Sequence, residues 1–155
     1  MEQRSDLPDL RVSYETAGID ADHLADDPID QFEQWFAEAT EGGVFEPNAM
    51  VLSTVDADGS PSARTVLLKG LDARGFVFFT NYTSQKSVDL IATGRGALTF
   101  VWLDLHRQVR IVGSAAKVDP TESDAYFLSR PRGSRLGAWA SDQSTVVSSR
   151  AALEA

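Results

Sequence analysis

The stretch "SRPRGSRLGAW" (residues 129–139) carries Arg130, Arg132 and Arg135 within six positions of a chain whose formal net charge is −9. Guanidinium groups clustered in an acidic protein serve a solvated loop, a nucleic-acid surface or a pocket for one small phosphate. Overlapping it, "AYFLSRPRGS" places Tyr126 and Arg130 at i and i+4 on one face of an expected helix, with Pro131 ending the helix and Ser134 in the following turn. Phenol, guanidinium and hydroxyl converging there suit the oxygens of a phosphate monoester, although a Tyr–Arg surface pair would use the same residues.

Three other stretches carry polar chemistry. "FTNYTSQK" sets Thr80, Thr83, Ser84 and Lys86 at a strand-to-helix junction, where backbone N–H groups and the positive helix end favour an anion. Helix capping by Ser84 is the alternative use, and the stretch has no glycine cradle of the Walker type. In "RTVLLKG", Arg64 and Lys69 have opposite parity on an expected strand, so they bind different groups unless a bulge realigns them; strand-end charges in water are the plainer reading. In "LHRQVRIVG", Gln108 interrupts an otherwise apolar face, and a Gln buried there needs backbone partners or a polar ligand ring. The neighbouring His106 is assigned no role.

These residues need a scaffold, and its signals are clear. "DPIDQFEQWFAEATEGG" reads as an amphipathic helix: Asp27 as N-cap, Pro28 in the first turn, Ile29, Phe32, Trp35, Phe36 and Ala39 on one stripe, and Gly42 as the stop. "AMVLSTVD" and "SARTVLLKG" flank the hairpin turn "ADGS", and "GFVFFTN" follows a second turn, "LDARG". "SQKSVDLIATG" has helical spacing, "GALTFVWL" and "RQVRIVGSAAKVD" read as two more strands, the second long enough to bend, and Asp119, Pro120 and Glu122 open another helix. "SSRAALEA" is helical in character. Strands dominate the centre without strict βα alternation, which predicts a mainly β fold: a small antiparallel barrel with peripheral helices. Such a narrow barrel places a ligand outside it or at a subunit seam. Trp139, near Gly137, is expected in the core or at an interface.

Composition narrows the function classes. The 155 residues suffice for one domain, with 43% hydrophobic and 24% charged residues. Without cysteine, disulfides and thiolate metal sites are excluded, and His23 and His106 are too far apart for a metal cluster. A reducing, cytoplasmic setting fits. No apolar run is long enough for a bilayer, and "MEQRSDLPDL" is acidic where a secretory signal is basic. Residues 1–46 hold 13 acids against Arg4 and Arg11, whereas residues 47–155 hold 10 acids against 12 bases. The acidity belongs to the front; the body has room for a compact basic pocket but not for a broad nucleic-acid face.

Together, "AMVLSTVDADGSPSARTVLLKG", "FTNYTSQK", "RQVRIVG", "SRPRGSRLGAWAS" and "QSTVVSSR" occur in the order and spacing of the pyridoxine/pyridoxamine 5′-phosphate oxidases, which the chain resembles from about Leu10 onward. The resemblance implies an FMN-binding split β-barrel, a homodimer with FMN at the subunit interface, and a site made of Arg64, Thr65, Val66, Leu67, Leu68, Lys69, Phe79, Thr80, Gln85, Lys86, Gln108, Gln143 and Ser144. Phe79 stands where a Tyr is frequent, and Gln85 where an Arg often assists the phosphate, so phosphate binding leans on Arg64 and Lys86. The substrate phosphate is assigned to Lys69, Tyr126, Arg130 and Ser134, with Arg11 and Tyr14 as a lid. Arg64 and Lys69 then serve different phosphates, and Arg132 and Arg135 have no implied role.

Residues 1–26 read as a mobile acidic arm and 27–155 as the FMN-binding domain. The implied reaction oxidises pyridoxine or pyridoxamine 5′-phosphate with oxygen as acceptor. Another flavin or deazaflavin reductase, or a flavin or pyridoxal phosphate carrier, is the alternative. Family members continue into a Trp-Gly-Gly stretch and a late Arg-x-His segment that complete both sites; neither occurs in these 155 residues. A chain lacking them is expected to bind FMN and pyridoxal 5′-phosphate but to oxidise slowly.

Overall fold

The computed structural model describes residues 18–140 and 142–154. Most of the acidic arm, including Arg11 and Tyr14, lies outside the described residues.

Helix α1 (Pro28–Glu41) forms as the pattern predicts. The Asp27 carboxylate accepts from the Ile29 N–H at 2.7 Å, and Gly42 closes the C-terminus through the Glu38 carbonyl. Strands β1 (Ala49–Val55) and β2 (Pro61–Leu67) form the expected hairpin, with Leu52 opposite Arg64 and Thr54 opposite Ser62. Strands β3 (Gly70–Asp72) and β4 (Gly75–Val77) make a separate two-stranded ladder. Helix α2 (Gln85–Thr93) ends at Gly94, whose φ of 66° is the left-handed conformation that glycine adopts without a Cβ penalty. Strands β5 (Arg95–Trp102) and β6 (Arg107–Ser114) complete an antiparallel sheet of order β2-β1-β5-β6. Helices α3 (Pro120–Ser129), α4 (Arg132–Ala140) and α5 (Arg150–Glu154) follow. The predicted class, mainly antiparallel β with peripheral helices, is the one observed.

One face of the sheet is buried. Inward residues Met50 and Leu52 of β1 and Leu98, Phe100 and Trp102 of β5 meet Phe32 and Ala39 of α1, with Leu68 closing the cluster. Phe32 is the hub, its ring 4.9 Å from Phe100, 4.8 Å from Phe76 and 6.0 Å from Trp102. Fully burying each such side chain stabilises the fold by about 1.5–3 kcal/mol. Trp102 keeps its indole N–H satisfied at the Pro47 carbonyl, 3.0 Å away.

Several local expectations are corrected. Of "GFVFFTN", only Gly75–Val77 is paired, because its partner β3 is three residues long. Strand β6 stops at Ser114, and one further bond, from the Ala115 N–H to the Gly94 carbonyl, follows it. Arg130 is not on the α3 face: it is the C-cap, with extended backbone (φ −71°, ψ 146°), as the following proline requires. Ser134 is not in a turn but in α4, because Pro131, read as a terminator, also stands at the start of the next helix. Gln108 is not buried: it lies with Arg110 and Val112 on the outward face of β6. Of the two places expected for Trp139, the core is excluded, since the residue is 81% exposed. No described helix is long and apolar enough to cross a membrane.

Candidate functional site

Helix α2 packs on the same sheet face as α1 with the opposite chemistry. Its buried residues are Lys86, Ser87 and Asp89, while Val88 and Ile91 are exposed. Close approach is possible because β5 has Gly96 beneath the helix: a Cβ there would come within 2.9 Å of Leu90 Cδ2. The inward row of β1 changes character to match, running Met50, Leu52 and then Thr54, which is 2% exposed.

At this polar seam lies a cleft of about 420 Å³ lined by Ser62, Ala63, Arg64, Thr65, Gln85, Lys86, Gln143 and Ser144. Two cations face it. Arg64 is threaded across the sheet: its NH1 donates to Leu52 O (3.1 Å), Thr54 Oγ1 (2.8 Å) and Ser62 O (3.2 Å), and its NH2 donates to Ser62 Oγ (2.6 Å). Lys86, 7% exposed, donates from Nζ to Thr80 Oγ1 (3.2 Å) and Ser84 Oγ (3.1 Å), which leaves one ammonium proton for a ligand. Among the described residues neither cation forms an ion pair. Burial, and then repulsion from Arg64, holds the Lys86 ammonium below the usual lysine range. A dianion in the cleft relieves both penalties at once.

The junction at α2 also settles the alternative use of Ser84. Its side chain makes no capping bond; the hydroxyl donates to Asn81 O at 2.7 Å and accepts from Lys86. The distant segment 143–144 docks here instead. The Thr80 hydroxyl donates to Gln143 Oε1 at 3.1 Å, and the Gln85 backbone N–H donates to Ser144 Oγ at 3.3 Å. Seven residues from three separated motifs (Arg64, Thr65, Thr80, Gln85, Lys86, Gln143 and Ser144) thus meet in one place.

The remaining predicted residues lie elsewhere. Val66 packs against the core, Leu67 ends β2, and Leu68 is buried with its backbone paired to Asn48. Lys69 lines a second cavity of about 520 Å³, with Phe32, Phe36 and Leu71 among its walls. Arg64 and Lys69 therefore face different spaces, as parity suggests, although Lys69 lies past the end of β2. Phe79 stacks on Tyr126 with ring centroids 3.9 Å apart and planes 6° from parallel. Among the described residues no hydrogen bond joins Lys69, Tyr126, Arg130 and Ser134 to one another.

Sequence reasoning missed Thr54, Ser62 and Asp89, which hold the cleft residues in place. The available signal was Thr54, a polar residue on the inward parity of an otherwise apolar row.

A family model described as pyridoxamine 5′-phosphate oxidase matches residues 36–155. A pyridoxine/pyridoxamine 5′-phosphate oxidase of Burkholderia multivorans is 58% identical over 149 residues, covering 96% of this chain and 70% of that protein. Its counterpart in Cupriavidus metallidurans is 57% identical over the same spans. Among solved structures, PhzG from Burkholderia lata, in complex with tetrahydrophenazine-1-carboxylic acid, superimposes with a TM-score of 0.85 at 30% identity, covering 90% of this chain and 69% of that one. A pyridoxamine 5′-phosphate oxidase-related FMN binding protein from Nostoc punctiforme shares the fold, at a TM-score of 0.62 and 16% identity, over 85% of this chain and 73% of that one.

Proposed function

The chain belongs to the pyridoxamine 5′-phosphate oxidase family, and we propose that it binds FMN and oxidises pyridoxine or pyridoxamine 5′-phosphate to pyridoxal 5′-phosphate, with oxygen as acceptor. The observation that carries this reading is the pair of cations Arg64 and Lys86, held by neutral oxygens, without a carboxylate ion partner among the described residues, at the mouth of one cleft. That donor set fits a flavin phosphate. Two cations neutralise a dianion, and the Thr65 and Ser144 hydroxyls and the Gln85 amide offer further protons around it.

In this reading Val66–Lys69, Phe79, Thr80, Gln108 and Gln143 serve the rest of the flavin. The outward position of Gln108, opposite exposed Val101 and on the same face as exposed Val112, suits a site completed by a second copy, hence a homodimer with FMN at its seam. Lys69, Tyr126, Arg130 and Ser134 hold the substrate phosphate, and the Phe79–Tyr126 stack ties the two sites together. Bound FMN would supply a two-electron acceptor for the hydride leaving C4′, with oxygen as the final acceptor. Pyridoxine phosphate plus O2 gives the aldehyde and hydrogen peroxide; pyridoxamine phosphate also consumes water and releases ammonia. The protein's share is positioning: both phosphates are clamped so that C4′ meets the ring at reacting distance.

The likeness to PhzG favours a second reading, oxidation of a reduced fused-ring carboxylic acid. The test is peroxide production per bound FMN on pyridoxine phosphate, pyridoxamine phosphate and a dihydrophenazine carboxylate. Turnover on the phosphorylated vitamers supports the first reading. Turnover only on the carboxylate overturns it.

A further inference from the structure

Asp89 is buried, 2% exposed, yet it pairs with no cation among the described residues. Its Oδ2 accepts from Thr54 Oγ1 at 2.7 Å and its Oδ1 from Gln85 Nε2 at 2.7 Å. Both neutral donors reach the anion cleft, Gln85 by lining it and Thr54 by accepting from Arg64 NH1 at 2.8 Å.

Resting on the FMN reading, we propose that Asp89 is a positioning residue that sets the cleft's affinity for phosphate through two hydrogen-bonded arms, Thr54 to Arg64 and Gln85 directly. An ionised carboxylate only accepts, so the Thr54 hydroxyl spends its single proton on Asp89 and turns its lone pairs to the guanidinium. Likewise the amide of Gln85, a residue that lines the cleft, is held by an N–H donated to Asp89. Hydrogen bonds from Thr54 and then Gln85 keep the Asp89 carboxyl below the usual aspartate range despite its burial, so it stays ionised and the orientation persists. The interposed Thr54 hydroxyl keeps the carboxylate out of direct contact with Arg64, so the guanidinium is not taken up in an ion pair with it.

Charge alone argues the other way, and this makes the proposal testable. Removing a buried negative charge beside an anion site should tighten phosphate binding if Asp89 acts only through its field. As a positioning group, its loss should weaken binding, because an Asn can accept from Thr54 or from Gln85 but presents its NH2 to the other.

The experiment measures dissociation constants for FMN, riboflavin and inorganic phosphate with wild type, Asp89→Asn, Thr54→Val and Thr54→Ser. Riboflavin lacks the phosphate, so a general packing defect moves it as much as FMN, whereas a positioning defect does not. Thr54→Val cuts the arm without touching the carboxylate and guards against a misfolded Asp89→Asn; Thr54→Ser restores the hydroxyl. The expected result is a loss of about tenfold in FMN and phosphate affinity for Asp89→Asn and Thr54→Val, riboflavin unchanged, and near-wild-type behaviour for Thr54→Ser. Tighter FMN binding by Asp89→Asn, equal losses for FMN and riboflavin, or Thr54→Val matching wild type overturns it. A wild type that holds inorganic phosphate but not FMN removes the cofactor reading, and the same variants then decide the Asp89 role on phosphate alone. A wild type that holds neither overturns both.

Discussion

Helices α1 and α2 press on the same face of one sheet, yet they bury different matter. Under α1 lie Phe32, Phe100, Trp102, Met50 and Leu52 in edge and tilted ring contacts. Under α2 lie Thr54, Ser84, Lys86, Ser87 and Asp89, linked by hydrogen bonds and backed by only part of an apolar layer. A seam of this kind does little for stability, because buried polar groups gain little net free energy even when every bond is made, and a desolvated ammonium costs more than it returns. Strand β1 runs through both regions, apolar at Met50 and Leu52 and polar at Thr54.

The strongest way to break this comparison is to damage the aromatic side. Phe100→Ala should destabilise the protein by about 3–5 kcal/mol, since Phe100 is fully buried against three rings, and urea unfolding measures it. The protein that remains folded should bind FMN as wild type does; a large loss of affinity would mean that the two regions are not separable. On the polar side the effects should reverse. Lys86→Ala should weaken FMN by about 1.5–3 kcal/mol by loss of a charge-assisted bond. The unliganded variant should unfold no more readily than wild type, a point that thermal unfolding with and without FMN checks directly.

Arg130 lies in neither region, and its substitution sharpens the division of labour. Arg130→Ala should raise KM for pyridoxine 5′-phosphate about tenfold while FMN affinity stays put, measured by steady-state kinetics beside a flavin titration. Matching losses in both would merge the two phosphate sites.

The smallest expected effect is a pH dependence with two signs. The Lys86 ammonium titrates below its unfolded value, so between the two values the unfolded chain binds the extra proton. Stability of the unliganded protein should therefore rise with pH across that window, relative to Lys86→Ala, while FMN affinity falls as the cleft loses its charge. Affinity that held constant through the window would place Lys86 outside the phosphate's reach.

The same contrast governs what could be read from the sequence. Helix α1 was legible down to its N-cap and its stop, because a single-sided apolar stripe, an Asp-Pro start and a Gly-Gly end are local signals. The strands of the main sheet were legible for the same reason. Helix α4 was not: Pro131 reads as the end of a helix with Ser134 in the turn after it, and only the fold shows that the proline both ends α3 and precedes a new helix. In the site, Arg64, Gln85, Lys86, Gln143 and Ser144 could be grouped only through the spacing of separated motifs, since residues 64 and 144 meet by tertiary packing. Asp89 was invisible. On a helix with exposed Val88 and Ile91, a carboxylate reads as the solvent side, and nothing local says that this helix is turned with its polar face inward.

A crystal structure of the protein grown with FMN shows most directly where the phosphate goes. The phosphate oxygens should lie within hydrogen-bond distance of both the Arg64 guanidinium and the Lys86 ammonium, with Thr54 still bridging Arg64 to Asp89. A phosphate seated instead against Lys69 or Arg130, with the Arg64 and Lys86 cleft filled by solvent, would contradict it.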